Sequence, residues 1–196
     1  MKLNFTIFGV KFEIDYVFVS LLVIYIAIDR TGIILPLLGG ILIHEFSHLL
    51  FILLFKSKIK AVKLKVGAIS VEYSDICDAN KKIIALFAGP FSNIAFAIFF
   101  KVLKNDTVFV LNAVIAIFNL LPLDGLDGGA IAYELLISFF AEQTVKKVMM
   151  FISITLLTTL SLSWLLFFKN NLFILIMILY LFTPFIFKKI LKDKHL

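Results

Sequence analysis

Apolar runs of membrane-crossing length recur along almost the whole of this chain, and no other feature restricts its fold as strongly. A helix needs about 20 mostly apolar residues to cross the hydrocarbon core, where its backbone groups must bond internally. Residues 14–28 form the first such run, closed by Asp29 and Arg30, and further runs cover 31–55, 82–103, 107–121, 147–168 and 171–187. The first and fourth are short; Pro122 ends the fourth, because the residue before a proline is driven out of helical geometry. Residues 129–141 suggest a shorter amphipathic helix with Glu134 on its polar side. Composition supports the same reading: 62% of the residues are hydrophobic, 16% are charged and 23 are phenylalanine. A soluble domain runs nearer to about 45–50% apolar and about 25% charged, so a soluble fold, disorder and a disulfide scaffold are all excluded. Cys77 has no second cysteine to pair with. The fold class is an α-helical polytopic membrane protein of about six transmembrane helices.

Two segments alternate with a period of two instead. Leu3, Phe5 and Ile7, then Val10, Phe12 and Ile14, flank a turn at Phe8-Gly9, and Leu64, Val66, Ile69, Val71 and Tyr73 flank Gly67. Both read as small β-hairpins, with irregular interfacial loop as the alternative. The basic residues then set the orientation. One side carries Lys2 and Lys11, seven lysines between positions 56 and 82, Lys146, Lys147, and four lysines after position 187; the other carries only Arg30, Lys101, Lys104 and Lys169. Both termini and both hairpins are therefore expected on the cytoplasmic side, in a multi-pass protein of a bacterial cytoplasmic membrane. Should the first run not cross, the N-terminal hairpin moves outside. The net charge of +6 serves this orientation, and no nucleic-acid partner is expected.

Within the second run lies His44-Glu45-Phe46-Ser47-His48. Positions i and i+4 of a helix share a face, so both imidazoles converge on one point. Two neutral imidazole nitrogens and a third ligand hold one Zn²⁺ with a position open for water, whose pKa falls to about 7. Glu45 is placed to take the proton of that water and return it to a leaving amine. Two core histidines with a hydrogen-bonded glutamate are the plainer alternative, but ionisable side chains inside hydrocarbon are costly and mark functional sites.

The third ligand is sought in residues 118–129, where Asn119, Asp124 and Asp127 are the polar groups. Either aspartate also suits a turn before glycine or a helix cap. The second and fourth runs cross in the same direction, so His48 and Asp127 both fall towards the cytoplasmic half.

Three signatures now stand in order: His44-Glu45-x-x-His48, Gly89-Pro90-Phe91-Ser92-Asn93, and Asn119-x-x-Pro122-x-x-x-x-Asp127-Gly128. Together they resemble the site-2 proteases, a family of intramembrane zinc metalloproteases. The resemblance covers roughly residues 1–190 and is strongest over 41–130. It is closest to the compact branch containing stage IV sporulation protein FB, without the CBS or PDZ domains found elsewhere in the family. It implies that Asp127 is the third zinc ligand, with Asp124 at the wrong spacing from Pro122. It also suggests that Asn93 and Asn119 steady a substrate backbone or oxyanion with their amides; interhelical hydrogen bonding is the other role open to them. Gly39 and Gly40 are expected to permit close helix packing, and Gly128 and Gly129 to serve the turn.

The expected protein is a single intramembrane metalloprotease domain over 1–196, with a catalytic core at about 31–130 and C-terminal helices at about 131–188. Its expected partners are the bilayer, a membrane-associated protein substrate and a membrane-embedded regulator. A transcription or sigma factor precursor fits as substrate, which places the enzyme in regulated intramembrane proteolysis, with sporulation as one setting. A transport or ion-binding protein using the His/Asp site is the rival reading; Glu45 between the ligands is what such a protein would not need. A substrate helix must be unwound before cleavage, and its freed backbone needs new partners. One edge of the Gly67 hairpin, along 63–65 or 69–73, is expected to supply them as an added strand, unless its lysines only anchor the loop to anionic lipid.

Overall fold

The computed structural model describes residues 2–7, 9–65, 68–74, 76 and 78–167. The chain divides into two compact units, 1–119 and 120–196.

In the first unit, strands β1 (Lys2–Ile7) and β2 (Val10–Asp15) lead directly into helix α1 (Tyr16–Ile28). The Asp15 carboxylate starts that helix by accepting from the Val17 amide at 3.0 Å. Asp29 then shapes the link to α2 (Ile34–Leu54), accepting from Thr31 and from the amides of Gly32 and Ile34. The Thr31 hydroxyl, followed by the Ile34 amide, holds the Asp29 carboxyl below its usual range. Strands β3 (Ile59–Lys65) and β4 (Ala68–Tyr73) follow, then α3 (Ala79–Val102), capped by Asp78, and α4 (Asp106–Asn119).

Both expected hairpins form, and they are one object. The sheet runs β1-β2-β3-β4, with antiparallel pairs at either end and a parallel pair, β2 with β3, between them. Parallel neighbours need a long crossover, which α1 and α2 supply. Two hairpins in one sheet lie on one side, so the arrangement with the N-terminal hairpin alone outside does not occur. Placing β3 between β2 and β4 also removes positions 63–65 as a free edge; of that hairpin, only β4 is paired on one side alone. Alternation holds across the sheet. Phe5 stacks on Phe12 at 5.3 Å on one face, while Glu13 meets Lys11 at 3.2 Å and Lys63 pairs with Glu72 on the other. The bond from Lys11 holds the Glu13 carboxyl below its ordinary range.

The membrane character is plain in the helices, though not all six expected spans are of full length. Among the described residues three helices are long and apolar enough to cross: Ile34–Leu54, Ala79–Val102 and Glu142–Leu166. Helices α1 and α4 have 13 and 14 residues, about 20 Å at 1.5 Å per residue, against a hydrocarbon core of about 30 Å. The sixth expected span, 171–187, lies outside the described residues. Large apolar side chains such as Val23, Leu35, Phe46, Phe91 and Val102 face outward, and the buried positions of α2, α3 and α4, apart from Ile52 and Ile115, are small or polar. Lipid tails are as apolar as leucine, so helices here gain by close approach, which Gly40, Ala85, Ala88, Gly89 and Ala97 permit.

In the second unit, Leu126 donates to the Leu123 carbonyl at 3.1 Å, closing a turn whose third residue, Gly125, has φ of +94°. That angle makes it a type II turn, where glycine is the fitting residue. Helix α5 (Asp127–Ile137) begins at once, two residues before the expected start, and α6 (Glu142–Phe167) begins five residues before the expected run at 147, taking in Lys146. Gly128 and Gly129 do more than serve the turn. A Cβ on them would lie 2.2 Å from the Leu120 carbonyl oxygen and 2.0 Å from that of Leu123, because the incoming chain crosses directly over the start of α5.

Candidate metal centre

His44 and His48 stand one turn apart on α2, with their ring centroids 4.7 Å apart and their planes at 82°. Each ring is fixed through Nδ1. His48 Nδ1 lies 2.7 Å from the Ala85 carbonyl oxygen, which only accepts, so this nitrogen carries the proton. His44 Nδ1 lies 2.7 Å from Oδ1 of Asn93. The orientation of that amide follows from its other prong: Nδ2 of Asn93 donates to the Gly40 carbonyl at 3.0 Å and to Oδ1 of Asn112 at 2.9 Å. Asn112 is oriented in turn by donating from Nδ2 to the Val108 carbonyl at 2.9 Å. Both histidines are therefore protonated at Nδ1, and in the neutral form each presents Nε2 as an acceptor.

The two Nε2 atoms lie 3.1 Å apart. Two lone pairs turned towards each other repel unless a positive charge sits between them. The donor chemistry fits a soft-to-borderline cation such as zinc, for which neutral imidazole nitrogens are ordinary ligands. A ligating histidine commonly gives its other N–H to a carbonyl or carboxylate that fixes tautomer and ring direction. Here a backbone carbonyl and a side-chain amide do so.

Helix α3 brings those acceptors close because of Gly89. A Cβ at that position would meet His48 Nε2 at 2.3 Å, His48 Cε1 at 2.7 Å and His44 Cε1 at 2.8 Å. The imidazoles occupy the space where any other residue would have its side chain. The next residue, Pro90, has no N–H for the Leu86 carbonyl one turn back.

Glu45 is half-buried on α2 beside His44. Asn93 is fully buried, and both hydrogens of its amide are engaged by Gly40 and Asn112. Asn119 closes α4 and donates to the Ile115 carbonyl of its own helix at 3.0 Å. Asp124 occupies the turn before Gly125, whereas Asp127 is the first residue of α5, in the second unit. Three contributors were not singled out from the sequence: the Ala85 carbonyl, the space at Gly89, and Asn112. Asn112 had a signal, since an amide in the middle of an apolar helix must find a partner. A carbonyl or an empty volume has no letter of its own.

Comparison with solved structures matches the chain to the site-2 protease from Methanocaldococcus jannaschii, at a TM-score of 0.70 and 20% identity, over 93% of this chain and 92% of the other. The chain shares the fold of a site-2 protease. No family model and no curated protein matches it. At this identity the likeness carries the fold rather than the chemistry. Within this site-2 protease fold the His pair lies on α2 and its supports on α3 and α4.

Proposed function

We propose that this protein is an intramembrane zinc endopeptidase that cleaves a membrane-associated protein near the cytoplasmic side of the bilayer. The observation that carries the proposal is the pair of Nε2 atoms on α2, facing each other while both Nδ1 atoms are bonded to acceptors, beside Glu45 in an apolar helix. The site-2 protease fold supports the same reading. His44, His48 and Asp127 are the proposed ligands. They offer two imidazole nitrogens and a carboxylate oxygen, a donor set that suits a zinc ion with one position left open.

Zinc held there supplies Lewis acidity, polarising a carbonyl and making water a better acid. The chain's own residues do the rest. Glu45 takes the proton from the attacking water and gives it to the leaving amine. The Ala85 carbonyl and the Asn93 amide hold the two rings in the tautomer that ligation needs. With both its hydrogens engaged, Asn93 acts as an orienting group, and Asn119 is the remaining amide proposed to steady the oxyanion.

The domain is proposed to work as one catalytic body over 1–196, crossing the membrane six times with the sheet and both termini in the cytoplasm of a bacterium. Its proposed substrate is the membrane-tethered precursor of a transcription or sigma factor, or a regulator of one, in regulated intramembrane proteolysis of the kind that serves sporulation. Co-expression with candidate precursors tests this. The native chain should release a shortened product and Glu45→Gln should not; equal release by both removes the proposal.

A further inference from the structure

Asn112 is a buried polar group that the proposed chemistry leaves unused. It is 1% exposed, in the middle of α4, and reaches His44 by way of the Asn93 amide. Its surroundings are built to hold it. Gly40, one turn before His44, has no side chain where a Cβ would meet Ile115 Cδ1 at 2.8 Å and Asn112 Oδ1 at 3.2 Å. The chain of bonds has a direction fixed at both ends by groups that can only accept. Asn112 gives an N–H to the Val108 carbonyl, which turns its oxygen towards α3. Asn93 gives one N–H to that oxygen and the other to the Gly40 carbonyl, which turns its own oxygen towards His44. His44 must then hold its proton on Nδ1 and keep Nε2 as a donor of electrons.

We propose that Asn112 is a positioning residue for the metal centre: by fixing which way the Asn93 amide points, it selects the tautomer of His44. An amide that reverses presents N–H to Nδ1, and this moves the imidazole proton to Nε2, where it blocks ligation. The Gly40 carbonyl alone leaves one hydrogen of Asn93 without an acceptor in a fully buried site, so the second acceptor is what makes a single orientation favourable. His48 is independent of this chain, since its Nδ1 bonds to the backbone of Ala85. The proposal rests on the reading of His44 and His48 as metal ligands.

The test uses the full chain in detergent, stripped of metal, with His195→Gln so that only His44 and His48 carry imidazoles. Nitrogen-15 histidine labelling and long-range proton–nitrogen correlation spectra report which nitrogen of each ring is protonated. In the Asn112 parent both rings should carry the proton on Nδ1. Asn112→Leu should give His44 a mixture of tautomers while His48 is unchanged; a general loosening of the fold would move both. Asn112→Asp is the rescue. A buried neutral acid has one O–H for Val108 and one carbonyl oxygen for Asn93, so His44 should return to a single Nδ1-protonated form. Zinc affinity, read by competition with a chromophoric chelator, should fall about 10–100-fold in the leucine variant, the usual effect of losing an outer partner, and recover in the acid. An unchanged His44 tautomer and affinity in Asn112→Leu overturns the proposal. Should that variant not fold, loss of the single tautomer in a folded Asn112→Asp protein overturns it equally. A parent that shows both Nδ1 protons yet binds no zinc refutes the metal reading and leaves the role of Asn112 in place.

Discussion

Replacing Gly89 with alanine adds a single methyl group, and the structure states where it goes. The new Cβ would sit 2.3 Å from His48 Nε2, against about 3.4 Å for ordinary contact, so something must yield by about 1 Å. The His48 ring is tied to the Ala85 carbonyl at 2.7 Å, on the same helix as the new methyl. The ring can swing only by losing that bond, and the alternative is for α2 and α3 to part. Overpacking of this kind costs about 1–3 kcal/mol, partly offset by the roughly 1 kcal/mol that alanine gains over glycine within a helix. Stability should thus fall modestly. Metal binding should fall much further, because ligand distances are held to about 0.2 Å and the displacement is several times that. Gly39→Ala is the matched control: it lies one residue from Gly40 on α2, yet a Cβ there meets nothing within 4 Å. The assay measures thermal unfolding and zinc competition in detergent for both variants. Gly39→Ala should match the native protein or exceed its stability, while Gly89→Ala should unfold cooperatively but lose zinc at least about 100-fold more readily. A folded Gly89→Ala protein with native zinc affinity would show that the rings do not sit where the reasoning requires.

Three further outcomes follow from the proposed chemistry. Glu45→Gln should keep its zinc and lose about 10²–10⁴-fold in cleavage rate, since glutamine preserves size but takes no proton; near-native cleavage would place the base elsewhere. Asp127→Ala should lose far more zinc than Asp124→Ala, measured by metal analysis of purified protein, and the reverse order would reassign the third ligand. Val71→Pro on β4 removes a backbone donor without changing charge, whereas Lys63→Gln with Lys65→Gln changes charge on the interior strand β3. If β4 receives substrate as an added strand, the proline variant should cut much more slowly than the double glutamine variant, with zinc retained in both. Equal cleavage by the proline variant and the native chain removes that edge as the clamp.

What the sequence disclosed and what it hid divide along physical lines. His44 and His48 were legible because helical phase alone puts them on one face. The hairpins were legible because a period of two is local. Their union was not, since β2 and β3 pair across the whole of α1 and α2 and no local pattern encodes so distant a register. The two adjacent glycines of α2 looked equivalent, yet Gly40 is four residues before His44 and shares its face, while Gly39 points away from any neighbour. That distinction was available from phase. So was the spacing of Ala85, Gly89, Asn93 and Ala97, four residues apart along α3 and all buried. The aspartates needed coordinates: Leu-Asp-Gly occurs twice, and only the backbone separates the turn at Asp124 from the helix start at Asp127.

The supports of the proposed centre also suit the holding of a cation among apolar helices at low cost. A histidine is often oriented by a carboxylate, which raises its basicity but adds a charge that hydrocarbon penalises. Here every group bound to the two Nδ1 atoms is neutral, and each branch of bonding ends on a backbone carbonyl, of Val108, Gly40 or Ala85. Helical carbonyls have a second lone pair beyond their own ladder bond, so they accept a further donor without loss of the helix. The two ligands nonetheless differ. His48 answers to a carbonyl that no substitution of a side chain can remove, and His44 answers to two amides that substitution can remove or replace. Variation at Asn93 and Asn112 would therefore act on a bound metal through His44, whereas a side chain at Gly89 would press on both rings. The strength of that proposed ligand would then be adjustable from α4, which carries neither histidine.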